Sequence, residues 1–467
     1  MSLDFVSAAP MKSFFVHMLT RDILLDEAIL DLLDNCVDGI QRTASKKTLN
    51  SPTPYKGYYA KINISAQSFS IEDNCGGIPE DKLRYAFRMG KHKDDIDIGV
   101  KTVGVYGIGM KRAIFKIGNE CSIFTSHDKN AWEIPITENW MNNETTWDLS
   151  VQTIKYDKNR ANSTCIEIHK LKSETRQLFG SEGFLHEFRV SVARHYSGII
   201  SKGFKVIIND SPVKPAIIKL AFSETGDKHK IEPYIYQASY EGVDVFLAIG
   251  FTGGIPSSDE ANDENENYKG KYSSENAGWT IVCNDRVVAY CDKTRLTGWG
   301  IAGAPQYHTQ FIAISGIVEF SSEDPRLLPT TTTKRGINAN SEIYSAVRDR
   351  MVEGLKIFTR YTNEWKSKEH IEIARSSIKD DKMLDLSEIK DKTSSLKLNS
   401  SRTGIKGSFY KPVLPKPIPK DNLRRIQFDR TADDIDKVAE YLFGTIDVSP
   451  TKVGEQCFNT ILEESRS

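Results

Sequence analysis

Along residues 21–42 the apolar positions Ile23, Leu24, Ala28, Ile29, Leu32, Leu33 and Val37 recur at helical spacing, which predicts one amphipathic helix. YYAKINIS and FSIED then alternate apolar and polar positions and predict two short strands with a turn between them. CGGIPEDKLRYAF predicts a loop entering a helix. MGKHKDDIDIGVKTVG is charged, glycine-spaced and poor in apolar residues, which predicts a mobile loop. VYGIGMKRAIFKIG predicts a glycine loop that becomes a helix, and CSIFTSH, AWEIPI, TTWDLSVQTI and TCIEIHKL predict strands. Together these elements predict an α+β fold that begins with an α/β sandwich of about 170 residues.

The pattern continues with a helix at LHEFRVSVARHYSGII and a strand–turn–strand at FKVIINDSPVKP. Strands follow at VDVFLAIGF, GWTIVCNDRVVAYCD and FIAISGIVEF, then one long helix at SEIYSAVRDRMVEGLKIFTRYTNEWKSKEH. The expected organisation is a first α/β domain over 1–195, a second over 196–375, a basic Pro- and Ser-containing linker over 376–420 and a helical segment over 421–467. The acidic run SSDEANDENEN reads as an exposed, disordered loop. KPVLPKPIPK gives the linker an extended character. DDIDKVAEYLFG and GEQCFNTILEE predict the last two helices, and no repeat of fixed period is present.

Charge changes this picture locally. Lys and Arg number 62 against 63 Asp and Glu, so nothing pulls the whole chain toward nucleic acid. Any such binding must come from a patch. The candidate is Lys392, Lys397, Arg402, Lys406, Lys411, Lys416 and Lys420 against Asp391. The seven cysteines are scattered singly, with no CxxC pair. This predicts free thiols in a reducing, cytoplasmic setting. Neither a signal peptide nor a spanning segment of about 20 apolar residues is legible.

Three segments carry candidate chemistry. In DLLDNCVDGI, Asp31, Asn35 and Asp38 recur at i, i+4 and i+7 and share one helix face. Such a face is either solvated or built to hold something polar. Asn35 sits between Leu33 and Val37 and suits a neutral oxygen ligand to Mg²⁺, beside a carboxylate that orients water. In IEDNCGGIPE, acid, amide and two glycines make a common turn recipe. The functional alternative has Asp73 accepting from an exocyclic amine while Gly77 leaves room for a flat ring. GVYGIGMKRA fails as a P-loop, because Met110 stands where lysine belongs. It fails as a dinucleotide fingerprint, because Arg112 stands where the last glycine belongs. What remains is Gly104, Gly107 and Gly109 running into a helix whose first turn carries Lys111. That is either a simple turn or a place where backbone and helix dipole approach a phosphate.

In order and spacing these segments resemble the GHKL ATPase superfamily of DNA gyrase B, the ninety-kilodalton heat-shock chaperones, histidine kinases and MutL. Thr164 in NSTCIEI resembles that family's threonine near a strand start. The resemblance implies a Bergerat-type ATP-binding sandwich followed by an α/β transducer domain, with ATP and Mg²⁺ as cofactors. Asp31 would be the general base or water-orienting acid. Asn35 would hold the metal and phosphates, and Asp38 completes that motif. Asp73 would read the adenine amine with Thr164 beside it. Gly104, Gly107 and Gly109 would wrap the phosphates within a lid over about 88–110. LPTTTTKRGIN resembles the transducer loop whose lysine reaches the γ-phosphate, which points to Lys334; a surface lysine is the alternative.

Three positions depart from the family pattern. Asp31 stands where Glu is usual, Cys75 where the first Gly of DxGxG is usual, and Gly39 where Ala is usual. Glu27, one turn earlier, is an alternative acid off the family register. The nearest likeness is to prokaryotic MutL/MORC-type proteins, which implies a slow ATPase acting as an ATP-dependent homodimerisation switch, with DNA or a phage-defence protein as partner and no membrane. The alternatives are a nucleotide-sensing module with little hydrolysis, a nucleic-acid-associated scaffold, and a chaperone for which no client-binding domain is legible.

Overall fold

The computed structural model describes residues 11–465 except 89, 91–98, 105–106, 145, 224–229, 258–259, 261–273, 332–333, 335, 367–370, 372–373, 376–377, 379–380, 402–404 and 418–425. The core of the expected lid and the acidic run therefore lie outside the described residues, apart from a few positions. The fold is α+β, as the pattern predicts.

The first sheet has eight strands in the order β5-β4-β3-β6-β2-β1-β7-β8. They are β1 (Tyr59–Ile64), β2 (Phe69–Asp73), β3 (Gly118–His127), β4 (Asn130–Ile136), β5 (Gln152–Thr153), β6 (Thr164–Leu171), β7 (Lys205–Ile208) and β8 (Ser211–Pro212). Its helices are α1 (Lys12–Arg21), α2 (Leu25–Thr43), α3 (Lys46–Leu49), α4 (Glu80–Ala86), α5 (Gly109–Ile117), α6 (Glu138–Asn142), α7 (Ser173–Phe179), α8 (Glu182–His195) and α9 (Ser197–Ser201). Ala28, Ile29, Leu32, Leu33, Cys36, Val37 and Ile40 of α2 join Ile114, Phe115 and Ile117 of α5 in one core with Ile62, Ile71, Ile123 and Ile166 of the sheet. Acids in the first turn of α2 and Arg42 in its last suit the helix dipole.

Two expectations change here. The 205–212 hairpin, expected to open the second domain, extends the first sheet: β7 pairs parallel with β1, with Tyr59 opposite Lys205 and Ile62 opposite Ile208. TTWDLSVQTI contributes only the two residues of β5. Helix α1 carried no clean apolar stripe, because its Phe14 and Met18 stay exposed while Val16 is buried.

The second sheet has seven strands in the order β13-β12-β14-β11-β10-β17-β16. Here β10 is Tyr234–Tyr240, β11 Val243–Phe251, β12 Gly278–Cys283, β13 Arg286–Asp292, β14 Ile314–Ser322, β16 Asn399–Ser400 and β17 Gly407–Tyr410. A two-stranded pair joins β9 (Leu220–Phe222) to β15 (Lys382–Leu384). The long helix α10 (Glu342–Trp365) lies against β10, β11 and β14 of the seven-stranded sheet. Its Ile343, Val347, Met351, Leu355 and Phe358 bury at helical spacing.

The expected linker is folded where it is described. After β15 comes α11 (Leu386–Thr393), and β17 then pairs with β10, setting Ile235 opposite Tyr410 and Tyr236 opposite Phe409. Ile389 is fully buried. A Lys- and Ser-rich composition masked the few apolar residues that anchor it. Arg402 and Lys420 of the basic patch lie outside the described residues. Lys411 lies 3.8 Å from Glu353.

Residues 417–467 form a separate compact unit. It holds α12 (Ala432–Phe443) and α13 (Pro450–Glu464), which pack on each other. Thr431 caps α12 by accepting from the Asp434 N–H, and Gly444 closes it in the left-handed region.

Candidate nucleotide-binding site

The polar face of α2, the turn after β2 and the glycine-spaced segment line one cavity of about 660 Å³, a volume suited to a small-molecule ligand. Its lining includes Asp31, Asn35, Asp38, Asp73, Gly77, Gly104, Gly107, Gly109, Lys111, Thr164 and Lys334. Glu27 is not among the lining residues. It sits in the first turn of α2 and accepts from the Leu24 N–H at 3.3 Å.

One end of the cavity is built by strand register. Asp73 pairs with Thr164 across β2–β6, and Thr164 with Thr125 across β6–β3. Directly opposed residues share a face, so these three side chains lie in a row. The Thr125 and Thr164 hydroxyls are 3.3 Å apart, and Thr125 Oγ1 accepts from the Ile78 N–H at 2.9 Å. Asp73 Oδ1 accepts from the Cys75 N–H at 2.8 Å, and the Cys36 thiol donates to Oδ2 at 3.4 Å. Burial dominates these bonds and pushes the Asp73 carboxyl up to about 6. Gly77 has φ +67°, and a Cβ there would lie 1.9 Å from the Ser126 carbonyl oxygen. Only glycine fits this approach. The family departures at Gly39 and Cys75 face each other: a Cβ on Gly39 would lie 2.6 Å from the Cys75 carbonyl oxygen.

The other end is charged. Asp38 is buried, and its two oxygens accept the Val103 and Gly104 N–H groups at 2.6 and 2.8 Å. It therefore fixes the start of the glycine segment from beneath. Burial raises its pKa against the pull of Arg42. Gly104 packs directly on it, since a Cβ would lie 2.5 Å from Asp38 Oδ2. Gly107 has φ +68°. Gly109 opens α5 against Asp31, whose Cβ would lie 3.2 Å from an added one. Lys111 is buried and its ammonium donates to the Ala86 carbonyl at 3.0 Å, tying α5 to the end of α4. Asn35 is the exposed member of the α2 face.

Sequence reasoning missed Arg112, Asp34, Arg286 and Tyr196, which surround the expected Asp31 and Lys334 at this end. Arg112 donates to Asp31 Oδ2 at 2.5 Å. Lys334 places its ammonium 2.9 Å from Asp34 Oδ2 and 3.9 Å from Asp31 Oδ1. Asp34 also takes Arg286 Nε at 2.9 Å and the Tyr196 hydroxyl at 2.6 Å. Lys334 and Arg286 hold the buried Asp34 carboxyl well below the usual carboxylate range, against desolvation. Asp34 was legible, since it lies three residues from Asp31 and four from Asp38 on the same face. Arg286 was not, because its partner is 252 residues away.

The family described as "Histidine kinase-, DNA gyrase B-, and HSP90-like ATPase" matches residues 23–175. These residues form a GHKL ATPase domain. The elements of the cleft other than Tyr196, Arg286 and Lys334 fall inside that span. A segment of 104 residues, 22% of this chain, is 30% identical to Protein MICRORCHIDIA 6 of Arabidopsis thaliana. It spans 14% of that protein's length. The GHKL family is one of ATP-binding proteins, and residues 23–175 of the chain are similar to it. Among the described residues, no helix is long and apolar enough to cross a membrane.

Proposed function

We propose that the chain binds MgATP in this cleft and uses it as a conformational switch that closes two copies together. The observation that carries this reading is the single 660 Å³ cavity lined by all three motif segments. In it Asp73 accepts from the adenine amine beside Thr164, Gly77 admits the ring, and the backbone of Gly104, Gly107 and Gly109 approaches the phosphates. The donor set fits magnesium, which takes few protein oxygens and several phosphate oxygens; Asn35 is the residue that would hold it. When bound, the ion would neutralise charge on the phosphates. Arg42, Arg112 and Lys334 add cations along the same wall. Lys334, brought from outside the GHKL segment, is the group suited to a terminal phosphate.

Asp31 is the acid placed to orient water, but Arg112 already occupies its Oδ2 at 2.5 Å. Arg112 Nε is buried with no hydrogen-bond partner among the described residues, a donor left for a ligand or water. This favours slow turnover, and it also supports the second reading of a nucleotide sensor that hardly hydrolyses. Phosphate release from MgATP measured on the wild-type chain and on Asp31→Asn separates the two. At least a tenfold fall in Asp31→Asn is expected for the ATPase; equal rates would acquit Asp31 as the base, and wild-type release no faster than from a heat-killed sample would leave only the sensor.

Acid weakens binding in a defined window. With Asp73 at about 6, its ionised fraction falls about tenfold between pH 7 and pH 5, and ATP affinity should fall with it. The fold responds oppositely through this group. A carboxyl raised above its unfolded value of 3.8 gains stability as pH falls from about 6 toward 4. Titrations at both pH values, paired with thermal unfolding, check this: affinity independent of pH would remove Asp73 from the adenine contact.

A further inference from the structure

The ammonium of Lys334 is already held by a second acid of α2, Asp34, at 2.9 Å. Asp34 is 1% exposed, and Lys334 reaches it from 300 residues away. The carboxylate has two cationic partners on different oxygens: Lys334 on Oδ2 and Arg286 on Oδ1, with the Tyr196 hydroxyl also on Oδ1. Arg286 is itself fixed. It donates to the Val287 and His195 carbonyls at 2.8 and 3.2 Å, and its guanidinium lies 4.4 Å from the centre of the Tyr196 ring. Lys334 has fewer ties, and its backbone sits at φ +57°, a left-handed conformation that a lysine adopts at a cost. Its ammonium also stands beside the glycine segment, 3.9 Å from where a Cβ on Gly104 would lie.

We propose that Asp34 sets the discrimination between nucleoside tri- and diphosphates by occupying the anion seat of Lys334. Asp34 takes one of the three N–H donors of Lys334 and offsets its charge, so a triphosphate competes with this carboxylate for the ammonium. A diphosphate leaves the pair undisturbed. Arg286 makes the exchange feasible. A buried carboxylate stripped of its only cation is strongly unfavourable, but Asp34 keeps the guanidinium on Oδ1 when the ammonium departs. The contact thus tunes the triphosphate preference downward, and the switch does not close on a diphosphate. This inference rests on the nucleotide reading above and assigns that site its selectivity.

The test is calorimetric titration of the full chain with Mg²⁺ and either ADP or a nonhydrolysable ATP analogue, read as the ratio of the two dissociation constants. Asp34→Asn frees Lys334 and should raise the triphosphate preference about tenfold, within the usual range of coupling between two sites. Adding Lys334→Met should abolish that gain. Tyr196→Phe withdraws a hydroxyl from Asp34, so the carboxylate holds Lys334 harder and the preference should fall several-fold. The Tyr196→Phe result decides the matter if Asp34→Asn shows no cooperative unfolding. A ratio unmoved by Asp34→Asn, a gain that survives Lys334→Met, or a ratio unchanged or raised by Tyr196→Phe each overturns the proposal. Wild type that binds both nucleotides while the ratio stays fixed overturns this inference alone. Wild type that binds neither overturns the nucleotide reading and the inference with it.

Discussion

Asp73→Asn is expected to weaken ATP binding by about 30- to 150-fold, the equivalent of roughly 2–3 kcal/mol for a hydrogen bond to a charged group. The geometry explains why so small a change matters. The Cys75 N–H donates to Oδ1 at 2.8 Å, so the amide of an asparagine would turn its oxygen to that donor. Its NH₂ would then face the adenine amine, donor against donor. Guanine presents a carbonyl in the equivalent place, so the same variant should lose its preference for ATP over GTP. Thr125 and Thr164 stay in register beside it, so the floor of the pocket remains. Equilibrium titration with both nucleotides checks the prediction. Unchanged ATP affinity and unchanged base preference would place the base elsewhere.

Arg286→Met should destabilise the 1–416 unit by about 3 kcal/mol, because it removes one cation from a carboxylate that cannot reach water. Arg286 and Asp34 are each about 1% exposed. Lys334 remains on the other oxygen, which keeps the loss at the low end of what breaking a buried pair does. For about 400 residues, at an unfolding entropy of roughly 2.1 cal/mol/K per residue, this lowers the midpoint by about 4 °C. The exposed pair Arg326–Asp324 supplies the contrast, since Arg326→Met should leave the midpoint unchanged. Differential scanning calorimetry of both variants distinguishes these outcomes; equal midpoints would show that Asp34 is stable without its guanidinium. The site should respond as well. Arg286 lies at the turn between β12 and β13, and the neighbouring Asn284 donates to the Thr102 carbonyl at 3.1 Å, just before the glycine segment. In the same turn Asp285 accepts from Lys202 and from the Tyr55 hydroxyl at 2.5 and 2.8 Å. One turn therefore grips α2, the glycine segment and the approach to β1.

The family departures are intelligible only as neighbours. In the sequence Gly39 and Cys75 are two departures from the family pattern 36 residues apart. In the fold, the absence of a Cβ at 39 makes room for the Cys75 carbonyl. Asp38 and Lys111 are a related case. Both belong to cavity-lining segments, but Asp38 gives both oxygens to backbone N–H groups and Lys111 gives its ammonium to the Ala86 carbonyl. Motif membership identified the segment; burial and partner decide which atoms are left for a ligand.

Local pattern determined a good deal of this protein. The helical period of α2, the two-residue alternation of β1 and β2, and the glycine spacing before α5 all act over a few residues, where sequence and backbone geometry are directly linked. The order of the three motif segments was enough to mark one family. Distant pairing was decided only by the tertiary structure. Nothing local tells a hairpin at 205–212 to join β1, or a Lys-rich stretch near 407 to complete the second sheet, because strand partners are chosen by which apolar faces remain to be covered. The same holds for the charge centre of the site. Asp34 is one more acid on a helix until the fold brings Lys334 and Arg286 to it across 300 and 252 residues. A buried carboxylate takes its properties from the cations that desolvation forces it to find.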